Sequence, residues 1–237
     1  MKLLALDTAT EACSAALWID GAVASRDELP GRGHAERILP IIDALLAEAG
    51  LALGALDAIA FGRGPGAFTG VRIAVSVAQG LAYGAGLPTV AVSDLAALAL
   101  QALERAAAER GGADEALVCL DARMGEVYYG RARPSERLGV ELLEEGLAPP
   151  ALALVAPLAA GVARVGAGHG FSAYPALAAR LGARLAACWP ELLPRAAEVA
   201  ALGARGFAAG LALPAEAAAP VYLRDQVASQ SGRVRVP

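Results

Sequence analysis

Residues 57–83 read DAIAFGRGPGAFTGVRIAVSVAQGLAY, and the order of elements in this stretch decides the fold. A short apolar run at 58–61 is bounded like a buried strand. A glycine-rich turn follows, Gly62-Arg63-Gly64-Pro65-Gly66-Ala67-Phe68-Thr69-Gly70, and residues 71–83 have the pattern of a helix. Strand, glycine turn and helix in that order are the parts of an α/β phosphate-binding unit. The turn lacks the Lys-Ser/Thr of a Walker A loop. Gly62, Gly64 and Ala67 fit GxGxxA, yet Pro65 removes a backbone donor from any cradle. The competing reading is a rigid corner, anchored by Arg72, that fixes how the strand meets the helix.

Upstream, residues 3–6 read as a buried strand ending in Asp7-Thr8-Ala9-Thr10. Runs at 12–19 and 22–29 are joined by Asp20-Gly21, a strong hairpin signal because both positions favour positive φ. Three leading antiparallel strands argue against a simple doubly wound sheet, and with it against a dinucleotide-binding oxidoreductase. After Pro30-Gly31-Arg32-Gly33, residues Ile38, Ile41, Ile42, Leu45, Leu46 and Ala49 keep helical spacing. Leu39 widens that stripe, Pro40 either kinks the helix or marks its first turn, and Gly50 stops it. Downstream, a strand at 89–92 leads into a helix at 94–110 with Ser93 or Asp94 as N-cap. Gly111-Gly112 is the clearest linker-like break.

The second half begins as the first does. A strand at 117–120 ends in Asp121, turns through Ala122-Arg123-Met124-Gly125, and returns over 126–131, a weak internal repeat. A strand at 162–165 runs into Gly166-Ala167-Gly168, and helical patterns follow at 175–181 and 195–209. The segment 220–228 is short and mixed.

Composition sets limits. Of 237 residues 57% are hydrophobic, many of them alanine, while aromatics are only 5%, so the core is built from small and branched side chains. A net charge of −4 argues against a strong nucleic-acid binder, and Arg123, Arg131, Arg133 and Arg137 are the only candidates for a basic patch. Cys13, Cys119 and Cys188 lack CxxC spacing and read as buried free thiols of a reducing cytosol. From Ile73 to Ser93 no residue is charged, but Gly80, Gly84, Gly86 and Pro88 break the run into helix, turn and strand, so no membrane span is expected. Lys2 leads directly into a strand-like run, so no signal peptide is expected either. His34 and His169 are far apart, with no HxxxH, HExxH or GxSxG.

Three turns could serve nucleotide chemistry. Asp7 with Thr8, and Asp121 with Gly125, could hold phosphate at strand ends, and Gly166 and Gly168 could admit a purine ring. Two such half-sites facing across a cleft describe the actin-like, sugar-kinase and Hsp70-type architecture. A Cβ at Ala9 would impede phosphate. On the helix at 71–83, Ala74, Val77, Ala78 and Leu81 are expected to face the sheet. Arg72, Ser76, Gln79 and Tyr83 form the opposite stripe, small and nearly uncharged. With the helix at 34–49 it suggests a two-helix surface that meets another protein.

The segments LLALDTAT, GHAERILPIIDALL, GRGPGAFTGVRIAVSVAQGLAYG and PVYLRDQVA, in that order, closely resemble the TsaB (YeaZ) family over essentially the whole chain. The resemblance implies an α/β fold of two actin-like (ASKHA, ribonuclease H-like) domains, each a mixed sheet with a leading antiparallel hairpin flanked by helices. The domains would be 1–110 and 111–237, the C-terminal tail packing back on the first. It implies a non-catalytic subunit that binds the TsaD-type threonylcarbamoyltransferase for t6A37 modification of ANN-decoding tRNAs. It further implies that a TsaE-type ATPase joins the pair, that the chain alone forms a homodimer, and that tRNA is contacted only indirectly, all in the cytoplasm. The partner interface would comprise Ile38, Ile42, Leu45, Arg72, Val75, Ser76, Gln79 and Tyr83. Asp94 and Leu98 stand where the paralogue carries the histidines of its HxxxH, which implies no metal site. No catalytic residue and no cofactor beyond weak ATP or ADP binding at Asp7, Thr8, Asp121, Gly166 and Gly168 is implied. The alternative is a nucleotide-dependent kinase or hydrolase of the actin-like ATPase class using Asp7 and Asp121.

Overall fold

The computed structural model describes residues 1–31, 33–155 and 158–224. Strands β1 (Lys2–Asp7), β2 (Cys13–Ile19) and β3 (Ala22–Glu28) form an antiparallel meander. Asp20 and Gly21 both take positive φ, 49° and 99°, as a two-residue hairpin turn requires. Helix α1 (His34–Ala49) leads to β4 (Ala58–Gly62), parallel to β1, and helix α2 (Phe68–Ala85) leads to β5 (Thr89–Val92), parallel to β4. The sheet order is β3-β2-β1-β4-β5. Pro40 lies inside α1 rather than at its start.

Helix α3 (Asp94–Arg110) carries the chain to a second sheet. There β6 (Glu115–Arg123), β7 (Glu126–Ser135) and β8 (Gly139–Ala148) again form a meander. Strand β9 (Arg164–Ala167) is parallel to β6. A single turn α4 (Gly170–Ala173) and helix α5 (Pro175–Gly182) lead to β10 (Ala187–Trp189), parallel to β9. Read from its meander side, this sheet runs β8-β7-β6-β9-β10, the strand order of the first.

The molecule is layered. Helices α1 and α2 cover the outer face of the first sheet over a core containing Leu4, Leu6, Ile38, Ile42 and Phe61. Helix α6 (Ala196–Ala208) packs on the inner face of that sheet, and α3 packs on the inner face of the second. The two helices share one central core with both sheets, which is why α3 is buried almost all round. Helices α4 and α5 cover the second sheet's outer face over Leu117, Phe171, Leu177 and Leu181. After α6 the chain returns to the first sheet. Leu213 exchanges backbone hydrogen bonds with Thr89 of β5 at 2.7 and 2.8 Å, which covers that sheet's edge. Residues 225–228 of the segment singled out above lie outside the described residues.

Several expectations are corrected. Strand β8 was not anticipated, because Glu141, Glu144 and Glu145 hide its alternation; charge is how an edge strand is protected from further pairing. Strand β10 is only three residues long. Ser93 stands at the N-cap of α3, but its hydroxyl donates to Glu145 Oε1 at 2.5 Å instead of capping the helix. Cys13 and Cys119 are buried free thiols, whereas Cys188 is exposed. Among the described residues no helix is long and apolar enough to cross a membrane.

Candidate functional site

The ends of β1 and β6 and the N-termini of α1 and α2 face one another across a cleft with a cavity of about 750 Å³. Val221, Tyr222 and Arg224 form one further wall. The glycine turn stands beside this cleft, and its spacing is explained by the chain itself. A Cβ on Gly62 would fall 2.5 Å from both Asp7 Oδ2 and Asp94 Oδ1. One on Gly66 would fall 2.4 Å from the Ala9 carbonyl oxygen, and one on Gly70 would fall 2.0 Å from that of Thr8. The Ala67 N–H donates to the Ala9 carbonyl at 2.6 Å, and the Thr8 hydroxyl donates to the Gly70 carbonyl at 2.7 Å. The glycines therefore let the turn seat directly on the β1 end. Arg72 meets this corner at Phe68 and ties it to Tyr222. Its guanidinium lies 3.6 Å from the centre of the Phe68 ring, and its Nε donates to the Tyr222 hydroxyl at 2.7 Å.

The candidate nucleotide residues are not brought together. Thr8 and Asp121 line the cavity; Asp7, Gly166 and Gly168 do not. Asp7 is fully buried, with Oδ1 accepting the Ala9 N–H at 2.7 Å. Asp121 is held by its own neighbourhood, accepting from the Arg123 N–H at 2.9 Å and the Tyr174 hydroxyl at 3.0 Å. Gly166 lies against Leu185 and Cys188, and Gly168, with φ of 104°, presses on the Cys119 carbonyl. Both serve strand and helix packing rather than approach of a purine. His169 lines the cleft 3.9 Å from Glu11. Burial lowers its pKa, against the raising effect of Glu11 and Asp121.

The three cysteines stand outside the cleft lining. Burial pushes the Cys13 thiol up to about 11 and Cys119 higher still, and at the exposed residue Cys188 partial desolvation of the thiol with the nearby Glu191 charge also raises it to about 11, so none is a ready thiolate. No group of three or more His, Cys, Asp or Glu side chains is placed to hold a metal among the described residues. Arg123 and Arg133, two candidates for a basic patch, are paired with Asp121 and Glu141.

The helix surface divides the expected interface in two. Ile38, Ile42, Leu45 and Val75 are 0, 1, 3 and 5% exposed, packed into the core beneath α1 and α2. A side chain sealed against its own sheet cannot meet a partner, so these four are structural. The sheet-facing arc of α2 is Val71, Ala74, Val75, Ala78 and Ala82, while Val77 and Leu81 are only half-buried. The seating of Gly70 on Thr8 at the first turn sets this rotation of the helix. Arg72, Ser76 and Tyr83 do stand on the outer face, and Gln79 is half-covered, its Nε2 3.4 Å from the Glu216 carbonyl. What the sequence reading missed are Gly80 and Gly84, exposed on this face with open space where a Cβ would be. A shallow groove lined by Ala35, Phe68, Ile73, Ser76 and Val77 lies at the N-terminal end of the surface.

Two mixed sheets of one strand order, with α3 and α6 between them and a cleft at the ends of their central strands, define the actin-like (ASKHA) class. The family model for TsaD, tRNA N6-adenosine threonylcarbamoyltransferase, matches residues 26–231. The tRNA threonylcarbamoyladenosine biosynthesis protein TsaB of Escherichia coli K12 is 42% identical over 231 residues, 96% of each chain. The crystal structure of an uncharacterized protein from Pseudomonas aeruginosa, described as similar to peptidase YeaZ, is 45% identical. It covers 94% of this chain and 99% of its own, with a TM-score of 0.82. YeaZ from Pseudomonas aeruginosa is 44% identical with the same coverage and a TM-score of 0.80. The chain belongs to this family, and within it to the TsaB (YeaZ) proteins.

Proposed function

We propose that the chain acts in the synthesis of N6-threonylcarbamoyladenosine as a non-catalytic subunit. It would bind a TsaD-type threonylcarbamoyltransferase through the outer face of α1 and α2. The observation that carries this reading is the pair Gly80 and Gly84 on the outer face of an 18-residue helix, Gly80 in its interior and Gly84 in its last turn. Gly80 lowers helix stability by about 0.5–1 kcal/mol relative to alanine, and among the described residues nothing lies within 4 Å of where a Cβ on either glycine would be. With Ser76 they form a ridge of small residues at spacings of four, over which a second helix can approach closely. Phe68, Tyr83 and Leu39 flank it as exposed apolar side chains.

The charges on this face favour a partner of the same fold. The cation on the outer face of α2 is Arg72, while α1 exposes Glu36 and Asp43. A two-fold arrangement turns each arginine toward the acids of the other copy. The chain alone then pairs with itself, and the catalytic paralogue takes the place of the second copy. A TsaE-type ATPase joins that assembly in the cytoplasm. The product is t6A37 in ANN-decoding tRNAs, and tRNA is reached through the assembly rather than by this chain. Residues 1–110 and 111–237 are the two units of the proposed subunit, the C-terminal part of the second packing back on the first sheet. The buried Asp7 and the raised cysteine pKa values support the non-catalytic assignment.

The test is co-purification with the TsaD-type protein, followed by tRNA modification with and without this chain. Gly84→Leu is expected to abolish co-elution and modification while leaving the fold intact by circular dichroism. Undiminished co-elution of that variant would remove the helix face from the reading.

A further inference from the structure

Asp7 ends β1 and Asp94 begins α3, and neither side chain reaches solvent. Each carboxyl group satisfies one oxygen with a nearby amide. Asp7 Oδ1 accepts from the Ala9 N–H, and Asp94 Oδ2 accepts from the Gly64 N–H. The other oxygens, Asp7 Oδ2 and Asp94 Oδ1, find no hydrogen-bond donor among the described residues. Both lie over the same point of β4, each 2.5 Å from where a Cβ on Gly62 would be. Two ionised carboxylates so placed in the interior would repel, and each orphan oxygen would keep its full desolvation penalty. One proton between them removes both penalties, since a protonated oxygen donates and its neighbour accepts.

We propose that Asp7 and Asp94 share one proton, forming an acid–carboxylate clasp that ties β1 and the Gly62–Gly64 corner to the start of α3. The charged and titratable groups around the clasp do not replace that proton. Arg63, the residue after β4, is engaged by Glu145 of β8 at 3.2 Å. Glu145 also takes the Ser93 hydroxyl, and Cys13 on β2 is a neutral thiol. Burial first, then the charge of Asp7 and its hydrogen bond, raise the Asp94 carboxyl well above the ordinary aspartate range. The Gly64 amide and Arg63 pull the other way. An unfolded aspartate releases its proton near about pH 3.9, whereas the folded pair keeps it to higher pH. The folded state therefore binds more protons across that interval. The clasp contributes fully on the acid side and is lost as pH rises through the pair's own titration. Because the same corner leads into α2, loss of the proton also loosens the seat of the outer-face helix.

The experiment is a carbon-detected NMR titration of the aspartate side-chain carboxyls in the full chain, with melting temperature recorded over the same pH range. One carboxyl of the pair is expected to remain an acid well above the ordinary aspartate range. Melting temperature is expected to fall as that proton leaves. In Asp94→Asn the amide supplies the bridging donor and its oxygen still accepts from Gly64. That variant is expected to match the wild type at acid pH and to lose this fall. Gly62→Ala, which drives a methyl group between the two oxygens, is expected to lower the melting temperature and erase the acid resonance. Ordinary titration of both aspartates, or an unchanged alkaline fall in Asp94→Asn, would overturn the proposal. If the asparagine variant does not fold, the wild-type carboxyl titration decides alone.

Discussion

Over the first sheet lie two long helices, α1 of 16 residues and α2 of 18; over the second lie one turn and the 8-residue α5. The sheets beneath share one strand order, so the difference is in the finish, not the frame. On the second sheet the short layer is tied down by its own chain. Arg180 of α5 donates to the carbonyls of Pro150, Ala153 and Leu154, binding the preceding loop to the helix. On the first sheet α2 presents Ser76, Gly80 and Gly84, with nothing among the described residues laid over the two glycines. A long layer with a small outer face, beside a short layer tied to its own loop on a matched sheet, is what supports the proposed partner surface on the first.

The sharpest way to break this comparison is to test whether the open layer is also well built underneath. Val75 is sealed in the core below α2, so Val75→Asp places an unpaired carboxylate there. We expect a loss of several kcal/mol, on the order of 3–5, seen as failure of cooperative urea unfolding. A folded Val75→Asp protein with weakened partner binding would instead return that residue to the interface.

The next test separates the two roles of the glycines by sign. Gly80→Ala and Gly84→Ala meet open space, so Gly80→Ala should raise stability by about 0.5–1 kcal/mol in denaturant titration and Gly84→Ala, in the last turn, by less. The same changes should weaken association with the paralogue or a second copy by roughly tenfold, about 1.4 kcal/mol. A gain in stability with no loss of association would show that the face is merely solvated. A smaller effect is expected at the stack of Arg72 on Phe68 and Tyr222. Tyr222→Ala removes one hydrogen bond and an aromatic contact, so about 1 kcal/mol of stability should be lost.

How far the chain could be read in advance follows the strength of local signals. The hairpin was legible because Asp20-Gly21 has one good backbone solution, and α3 because a capping position and a glycine bracket it. The strand order of the second sheet was half hidden, since the charges that protect β8 as an edge also erase its alternation. At the site, the outer stripe of α2 was readable from helical spacing, but its rotation was not. That rotation depends on Gly70 meeting the Thr8 carbonyl, a contact between residues 62 positions apart. Gly80 and Gly84 were read as breakers of an apolar run, because only the folded helix shows that they face outward. Asp7 had the right type and strand position for nucleotide chemistry, and no local pattern says that Asp94 turns it inward.

The smallest expected effect lies in the cleft, where Asp121 ends the central part of β6 as Asp7 ends β1. Here the neighbouring titratable group is His169 instead of a second buried carboxyl. Burial disfavours its charged form, with Glu11 and Asp121 resisting and Arg123 adding to the effect. A histidine whose folded pKa is depressed binds fewer protons when folded than when unfolded. Its contribution is therefore complete above the ordinary value of about 6.5 and is lost as pH falls through the folded pKa. Melting temperature of the wild type should drop slightly on mild acidification, and His169→Gln should flatten that drop without changing partner binding. The two strand ends would then respond to pH in opposite senses, the first weakening as protons leave and the second as they arrive. The same acid slope in His169→Gln as in the wild type would mean that the cleft wall is solvated well enough for His169 to titrate as a free side chain.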